Sequence, residues 1–218
     1  MSLTVYGAIL SPFVRKIRII LAEHQIEHEL VAQAPFKQPD WYYEISPLGR
    51  IPAIKDGDFT LADSAVIAQY LEESRGKLHL YGASAQEAAR VRWLEKFADY
   101  ELAPLATFTC FRNRVLKPLI GEPCDEQAIS KALTEQLPPL FDYLEQELGG
   151  QDFFLGTYSL ADIAVASQLI NLAHGGEAID SARWPGLAGL LRRVSDRQGV
   201  AGLLADEQRL LAKMTQRG

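Results

Sequence analysis

The sequence predicts an α/β unit followed by an all-α unit. Short β-favouring runs alternate with helical spacing through the first part of the chain, in the order β-α-β, loop, β-β-α. Beyond Ser84 the strand signals stop and only helical spacing remains. Gly76, Lys77 and Gly82 interrupt the pattern between the two regimes. These observations assign residues 1–78 to a first domain, 79–85 to a linker and 86–218 to a helical domain.

Leu3–Tyr6 is a β-favouring run, Leu-Thr-Val-Tyr, closed by Gly7. Ser11-Pro12 then opens a helix: Ser is a favoured N-cap, Pro a favoured first helical residue, and Phe13, Val14, Ile17, Ile20, Leu21 and His24 recur at helical spacing. Ile26–Val31 returns to a strand-like pattern with Glu27 and Glu29 on the wet face. Ala32–Arg50 is looser, with Pro35, Pro39 and Pro47 and one short helix around Trp41–Ile45. Ile51-Pro52-Ala53-Ile54 reads as a strand entered through a proline, Asp56-Gly57 as a hairpin signal and Phe59–Leu61 as the returning strand. A helix starts near Ser64, with Val66, Ile67, Tyr70 and Leu71 on its buried face.

In the second part, Ser84–Val115 is a long helical pattern in which Pro104 predicts a kink or break. Asp125–Leu148 is a helix interrupted at Pro138-Pro139, followed by helices over Ser159–Ala173 and Trp184–Arg197 and by smaller helical pieces to the end. Ser159-Leu160-Ala161-Asp162 puts a hydroxyl at an N-cap and a carboxylate three residues later, a capping box and not a catalytic pair. The apolar residues behind it place that helix centrally.

Composition narrows the function classes. Of 218 residues, 48% are hydrophobic and 23% charged, the balance of a folded globular chain. A net charge of -6, from 22 Lys+Arg and 28 Asp+Glu, opposes nucleic-acid binding through a broad basic face. The longest uncharged runs, Met1–Val14 and Ile163–Gly176, fall short of the roughly 20 residues a membrane-crossing helix needs. Arg15 follows the first apolar stretch instead of preceding it, unlike a secretory leader. Cys110 and Cys124, with no CxxC and no metal-ligand spacing, argue against a disulfide scaffold and a zinc site and fit a reducing, cytoplasmic compartment.

Three places in the first domain carry candidate chemistry: Ser11 at a helix start directly after a strand, Arg50-Ile51-Pro52 where a strand begins, and Asp63-Ser64 at another helix start. Helix N-termini present free N–H groups and partial positive charge, which favour anions. A ligand with two carboxylates and a thiol could use all three. Each also has a plain structural reading: Ser11 and Asp63-Ser64 as caps, Arg50 as a solvated cation.

With Ser11-Pro12-Phe13, Ser46-Pro47-Leu48-Gly49, Arg50-Ile51-Pro52-Ala53-Ile54, Asp63-Ser64 and Gly156-Thr157-Tyr158-Ser159-Leu160-Ala161-Asp162-Ile163 in this order, the chain resembles the cytosolic glutathione transferases, in particular bacterial-like members with an active-site serine. The resemblance covers nearly the whole chain. It implies a thioredoxin-like N-terminal domain, an all-helical C-terminal domain and glutathione as co-substrate, with no metal. It further implies a cis bond before Pro52, main-chain hydrogen bonds from Ile51 to the cysteinyl part, Ser64 on the γ-glutamyl carboxylate and Asp63 near that end. Lys37, or neighbouring Gln38, and Arg50 fall near the glycyl carboxylate. Ser11 is the implied thiolate donor, acting by hydrogen bond and not as a nucleophile. Leu10, Phe13, Thr107, Phe108 and Phe111 are the candidate walls for a small hydrophobic electrophile, Phe108 and Phe111 also fitting a core. A homodimer is implied by the same analogy.

Tyr6 is the other candidate donor, but Gly7 follows it as in serine-type members, where it packs. No GxSxG accompanies His24, His28, His79 or His174, against a serine-nucleophile triad. Cys110 fits a small buried apolar residue, and the absence of cysteine at Ser11 opposes disulfide exchange. A binding-only protein and a glutathione-dependent isomerase remain as alternatives, the second opposed by Leu10, Pro12 and Phe13 around Ser11.

Overall fold

A computed structural model describes residues 3–35, 37–76 and 78–215, with only the main chain of Thr215. Lys77, part of the expected junction, lies outside the described residues. The chain forms two compact units, residues 1–79 with 198–203, and residues 80–197 with 204–218.

The first unit is a four-stranded sheet in the order β2-β1-β3-β4 with helices packed on it: β1 (Leu3–Tyr6), α1 (Pro12–Glu23), β2 (His28–Val31), α2 (Asp40–Tyr43), β3 (Ala53–Asp56), β4 (Phe59–Ala62) and α3 (Ser64–Ser74). β1 and β2 are parallel, which requires the α1 crossover, while β3 runs antiparallel to β1 and β4. Leu3 and Val5 alternate inward from β1. A Cβ on Gly7 would meet Val14 Cγ2 at 2.4 Å, so glycine lets α1 return tightly over the strand end. α1 packs against α3.

Several boundaries differ from the sequence expectation. β2 begins at His28, not Ile26, because the Ile26 N–H donates to Leu21 O (2.8 Å) and closes the end of α1. The short helix is Asp40–Tyr43, not Trp41–Ile45. β3 begins at Ala53, since Pro52 has no N–H to donate and follows a cis bond. The hairpin turn is Gly57-Asp58, Asp56 pairing with Phe59 and Gly57 taking φ 61°. Val66 is exposed (49%), and the buried face of α3 is Ser64, Ala65, Ile67, Ala68 and Leu71. At about 100° per residue Val66 lies some 200° from Ser64, on the far side. Tyr70 is half-buried, its hydroxyl donating to Asp56 Oδ2 (2.8 Å).

The second unit is all-helical. α4 (Ala85–Phe97) starts at a capping box of Ser84 and Glu87. Helical backbone continues over Ala98–Leu116, widened to π-type bonding, as in the Lys117 N–H to Arg112 O bond. Pro104 therefore brings no break. Widening begins six residues before it, and the Pro104 carbonyl accepts from Thr109 Oγ1 (2.8 Å). A second widened turn, Ala132–Gln136, precedes Pro138-Pro139, which sit in the opening turn of the helix Leu137–Leu148. The helix Leu160–His174 is buried from Leu160 through Leu172 and packs against α4, Ala98–Leu116 and the helix Pro185–Ser195. Its capping box forms as expected: Asp162 accepts from the Ser159 N–H (2.8 Å) and hydroxyl (2.9 Å), and also from the Phe154 N–H (3.0 Å). Gln198–Thr215 is one helix, not smaller pieces. Gly199 serves close packing, since a Cβ there would sit 2.7 Å from Glu23 Oε1. Cys110 is buried, its thiol pKa pushed up to about 11 chiefly by that burial. Among the described residues no helix is long and apolar enough to cross a membrane.

Candidate functional site

The register of the sheet brings four separate segments to one edge. Val31, Tyr6, Ala53 and Ala62 are paired across the four strands. Just outside that row lie, in spatial order, the loop after β2 that carries Lys37, the β1–α1 turn with Ser11, the Arg50-Ile51-Pro52 approach to β3, and Asp63-Ser64 after β4. Strands lie about 4.8 Å apart, so the row spans about 14 Å. That is the scale of an extended tripeptide, at about 3.5 Å per residue plus its end groups.

Ser11 caps α1, but weakly: its Oγ accepts from the Val14 N–H at 3.4 Å, and no acid stands in the first turn. The hydroxyl hydrogen remains to donate, and the helix mouth keeps its positive character. Tyr6 packs in an aromatic cluster, its ring 6.0 Å from Trp41 and 6.1 Å from Tyr42.

The Ile51–Pro52 bond is cis, and among the described residues the Ile51 N–H and C=O make no hydrogen bond. Arg50 is exposed. Its carbonyl, by contrast, accepts from two hydroxyls, Tyr42 and Ser46, each at 2.9 Å. The preceding turn follows from its residues: Pro47 sits at its second position, and Gly49 at φ 63° donates to Ser46 O (2.7 Å). A Cβ on Gly49 would lie 2.9 Å from the Tyr43 ring.

Asp63 adopts φ 78°, a conformation that costs a non-glycine residue about 1–3 kcal/mol. From there its Oδ1 accepts from the Ala65 (2.9 Å) and Val66 (3.3 Å) N–H groups. The Ser64 N–H and hydroxyl remain without a hydrogen-bond partner among the described residues, although Ser64 is buried. A backbone N–H, a hydroxyl and a helix start together suit a carboxylate.

The outer segment separates Lys37 from Gln38. Gln38 Nε2 donates to Ala34 O (2.7 Å) and Gly49 O (2.9 Å), and its Oε1 accepts from Gln33. Gln38 thus braces the loop. Lys37 is exposed at φ 57°.

Residues 5–78 match the family model of the glutathione S-transferase N-terminal domain and residues 126–193 that of the C-terminal domain. The chain is 32% identical to glutathione S-transferase F10 of Arabidopsis thaliana, over 75% of this chain and 78% of that protein. It is 30% identical to human glutathione S-transferase theta-1, over 89% and 82%. A solved glutathione S-transferase of Rhodospirillum rubrum superposes with a TM-score of 0.84 at 25% identity, over 93% of this chain and 91% of that one. This chain belongs to the glutathione S-transferase family. Its first unit has the thioredoxin-like fold of that family, and its second is all-helical.

For this glutathione S-transferase the candidate walls divide. Leu10 is buried and Phe13 half-buried in the first unit. In the helical unit Thr107 is buried with its hydroxyl on Gln168 Oε1 (2.7 Å), and Phe111 is buried with its ring 6.5 Å from His174. Both serve the helical core, whereas Phe108 is 50% exposed. Sequence reasoning missed Tyr42 and Ser46. The signal was a pair of hydroxyl-bearing residues just upstream of Arg50-Ile51-Pro52, but nothing in their spacing says that both donate to one carbonyl.

Proposed function

We propose that this glutathione S-transferase conjugates glutathione to small hydrophobic electrophiles, with Ser11 donating a hydrogen bond to the glutathione sulfur. The observation that carries this reading is the open helix mouth at Ser11, in line with Ile51 and Ser64 along one sheet edge. The order of the segments sets the polarity of the ligand: glycyl carboxylate toward Lys37 and Arg50, cysteine over Ser11 and Ile51-Pro52, γ-glutamyl group toward Asp63 and Ser64.

A free thiol has a pKa of about 8.5, so only a few per cent is thiolate at neutral pH. A hydrogen bond to a charged acceptor is worth about 1.5–3 kcal/mol and a helix N-terminus up to about 1 kcal/mol. At about 1.4 kcal/mol per pKa unit, the two lower the thiol pKa by about two units, enough to make thiolate the main species. The thiol proton leaves to solvent. The sulfur lone pair forms the new C–S bond, and the leaving group departs with its bonding pair. Phe13, half-buried in the first unit two residues after Ser11, is the aromatic residue we assign to the electrophile. The same thiolate would attack a hydroperoxide oxygen, breaking the O–O bond to release the alcohol, protonated by solvent, and leave glutathione sulfenic acid; a second glutathione then forms the disulfide with loss of water, so peroxides belong in the assay.

A homodimer accompanies this reading. It is supported by apolar side chains left exposed on each unit: Phe59 and Val66 on the first, Trp93 and Tyr100 on the second. Light scattering on the purified protein tests it.

The test of function is a panel of aryl halides, enones and organic hydroperoxides assayed with glutathione, wild type beside Ser11→Ala. Glutathione-dependent turnover that falls in the variant is expected. Turnover of equal rate in both at neutral pH refutes the role of Ser11, and binding without turnover of any compound favours a carrier.

A further inference from the structure

Two buried hydroxyls converge on one carbonyl beside the site. Tyr42 and Ser46, 0% and 1% exposed, each donate to Arg50 O at 2.9 Å, occupying both of its lone pairs. Burial pushes the Tyr42 hydroxyl up to about 12, so it stays a protonated donor at any working pH. One residue earlier, Gly49 O is held by Gln38 Nε2 at 2.9 Å. Successive carbonyls on either side of Arg50 are thus tied down, one by two buried hydroxyls and one by the half-buried Gln38 amide.

The Arg50–Ile51 peptide is trans, and in a planar trans peptide the C=O and N–H point in opposite directions. A carbonyl fixed toward buried hydroxyls therefore fixes the N–H outward. That N–H belongs to Ile51, and it makes no hydrogen bond among the described residues. We propose that Tyr42 and Ser46 are positioning residues which, by jointly clamping the Arg50 carbonyl, aim the Ile51 N–H at the bound tripeptide. The inference rests on the glutathione reading of the site. The clamp removes rotation of one peptide plane before the ligand arrives, so its effect falls on glutathione binding and not on the electrophile.

The test uses Tyr42→Phe, Ser46→Ala and their combination. Tyr42→Phe keeps the ring that packs at 5.7 Å from Trp41 and 6.1 Å from Tyr6. Either single change leaves one hydroxyl on the carbonyl and should raise KM for glutathione about threefold. The double change should raise it about thirtyfold, more than the product of the singles. KM for the electrophile should hold, and kcat should fall less than about threefold. Tyr42→Phe combined with Ser46→Thr, which keeps a hydroxyl, should match Tyr42→Phe alone. As a second measurement, glutathione should slow hydrogen exchange at the Ile51 amide in the wild type and do so less in Tyr42→Phe. A double variant that binds glutathione like the wild type overturns the clamp, as does undiminished Ile51 protection in Tyr42→Phe or an equal loss toward both substrates. A wild type indifferent to glutathione overturns the site reading with it, and only that result does so.

Discussion

Ser11 and Ser159 each stand immediately before a helix, and they meet opposite surroundings. The Ser159 N–H and hydroxyl are both taken by Asp162, which also holds the Phe154 N–H. Ser84 is closed in a similar way by Glu87, whose Oε2 accepts from the Ala83 (2.6 Å) and Ser84 (3.2 Å) N–H groups. Ser11 has Val14 at the corresponding third position, and a 3.4 Å contact is all its side chain gives to the helix. An acid three residues on makes a helix mouth satisfy itself. An apolar residue there leaves the partial positive charge and a hydroxyl for an anion from outside. Ser84 and Ser159 in the helical unit close their own helix starts, and Ser11 in the sheet unit leaves its helix start open.

The closed mouth should break hardest. Asp162→Ala leaves two N–H groups and a hydroxyl buried without their acceptor, and should lower unfolding free energy by about 3 kcal/mol in urea titrations. The same carboxyl gives a pH signature. Burial, only partly offset by its hydrogen bonds, raises its pKa from 3.8 to about 6. Between about pH 4 and pH 6 the folded state holds a proton that the unfolded state has released, so this group's contribution to stability falls as pH rises through that window. Asp162→Asn should flatten that slope. A difference between wild type and Asp162→Asn that stays constant from pH 4 to pH 7 contradicts the assignment.

Ser11→Ala should do the reverse: little to the fold, much to the reaction. The long capping contact predicts a stability loss at or below about 0.5 kcal/mol, the low end for caps. Removing the thiolate donor should cost about 2 kcal/mol of thiolate stabilisation, a rise of about 1.5 pKa units that lowers the thiolate fraction, and turnover at neutral pH, about eightfold. Because the loss is one of thiolate fraction, it should shrink as pH approaches that of free glutathione ionisation. A loss independent of pH contradicts it.

Local signals made much of this legible. Element order in the sheet unit, the Ser159 box and the helix starts at Ser11 and Ser64 follow from capping, turn and periodicity rules that act over a few residues. What was illegible depends on partners distant in sequence. Val66 reads as core by hydrophobicity, and only the phase of α3 against the sheet turns it outward. The close approach that a glycine at 199 permits becomes visible only once Glu23 stands against it. The widening begins at Ala98, six residues before Pro104, in a stretch packed against Leu160–His174, a partner that no local rule names. Tyr42 and Ser46 carry no motif, because a clamp on a carbonyl needs only hydroxyls in the right place. The segments of the site were readable individually, but their order along one edge required the strand register.

Ser64 offers an intermediate case, an open mouth where the hydroxyl is one of two donors. Ser64→Ala keeps the backbone N–H and should weaken glutathione binding by about tenfold, or about 1.4 kcal/mol, in calorimetric titration. The kcat at saturating glutathione should change far less than in Ser11→Ala, since the γ-glutamyl end lies away from the sulfur. A kcat loss as large as that of Ser11→Ala would dissolve the distinction between the two mouths.

The smallest effect should come from the exposed box. Glu87 is exposed, and its carboxylate holds two N–H groups while Gly82, at φ 76°, leaves room where a Cβ would lie 2.7 Å from the Glu87 Cβ. Glu87→Gln keeps one acceptor oxygen, which can take both N–H groups as Oε2 does, and water is at hand where it does not, so the cost should be about 0.5 kcal/mol in urea titrations. The same chemistry buried at Asp162 has no water to fall back on, which is why the two boxes should differ several-fold in energy despite similar geometry. If Glu87→Gln proved as damaging as Asp162→Asn at neutral pH, burial would not be what separates them, and the charge on the helix dipole would have to carry the difference.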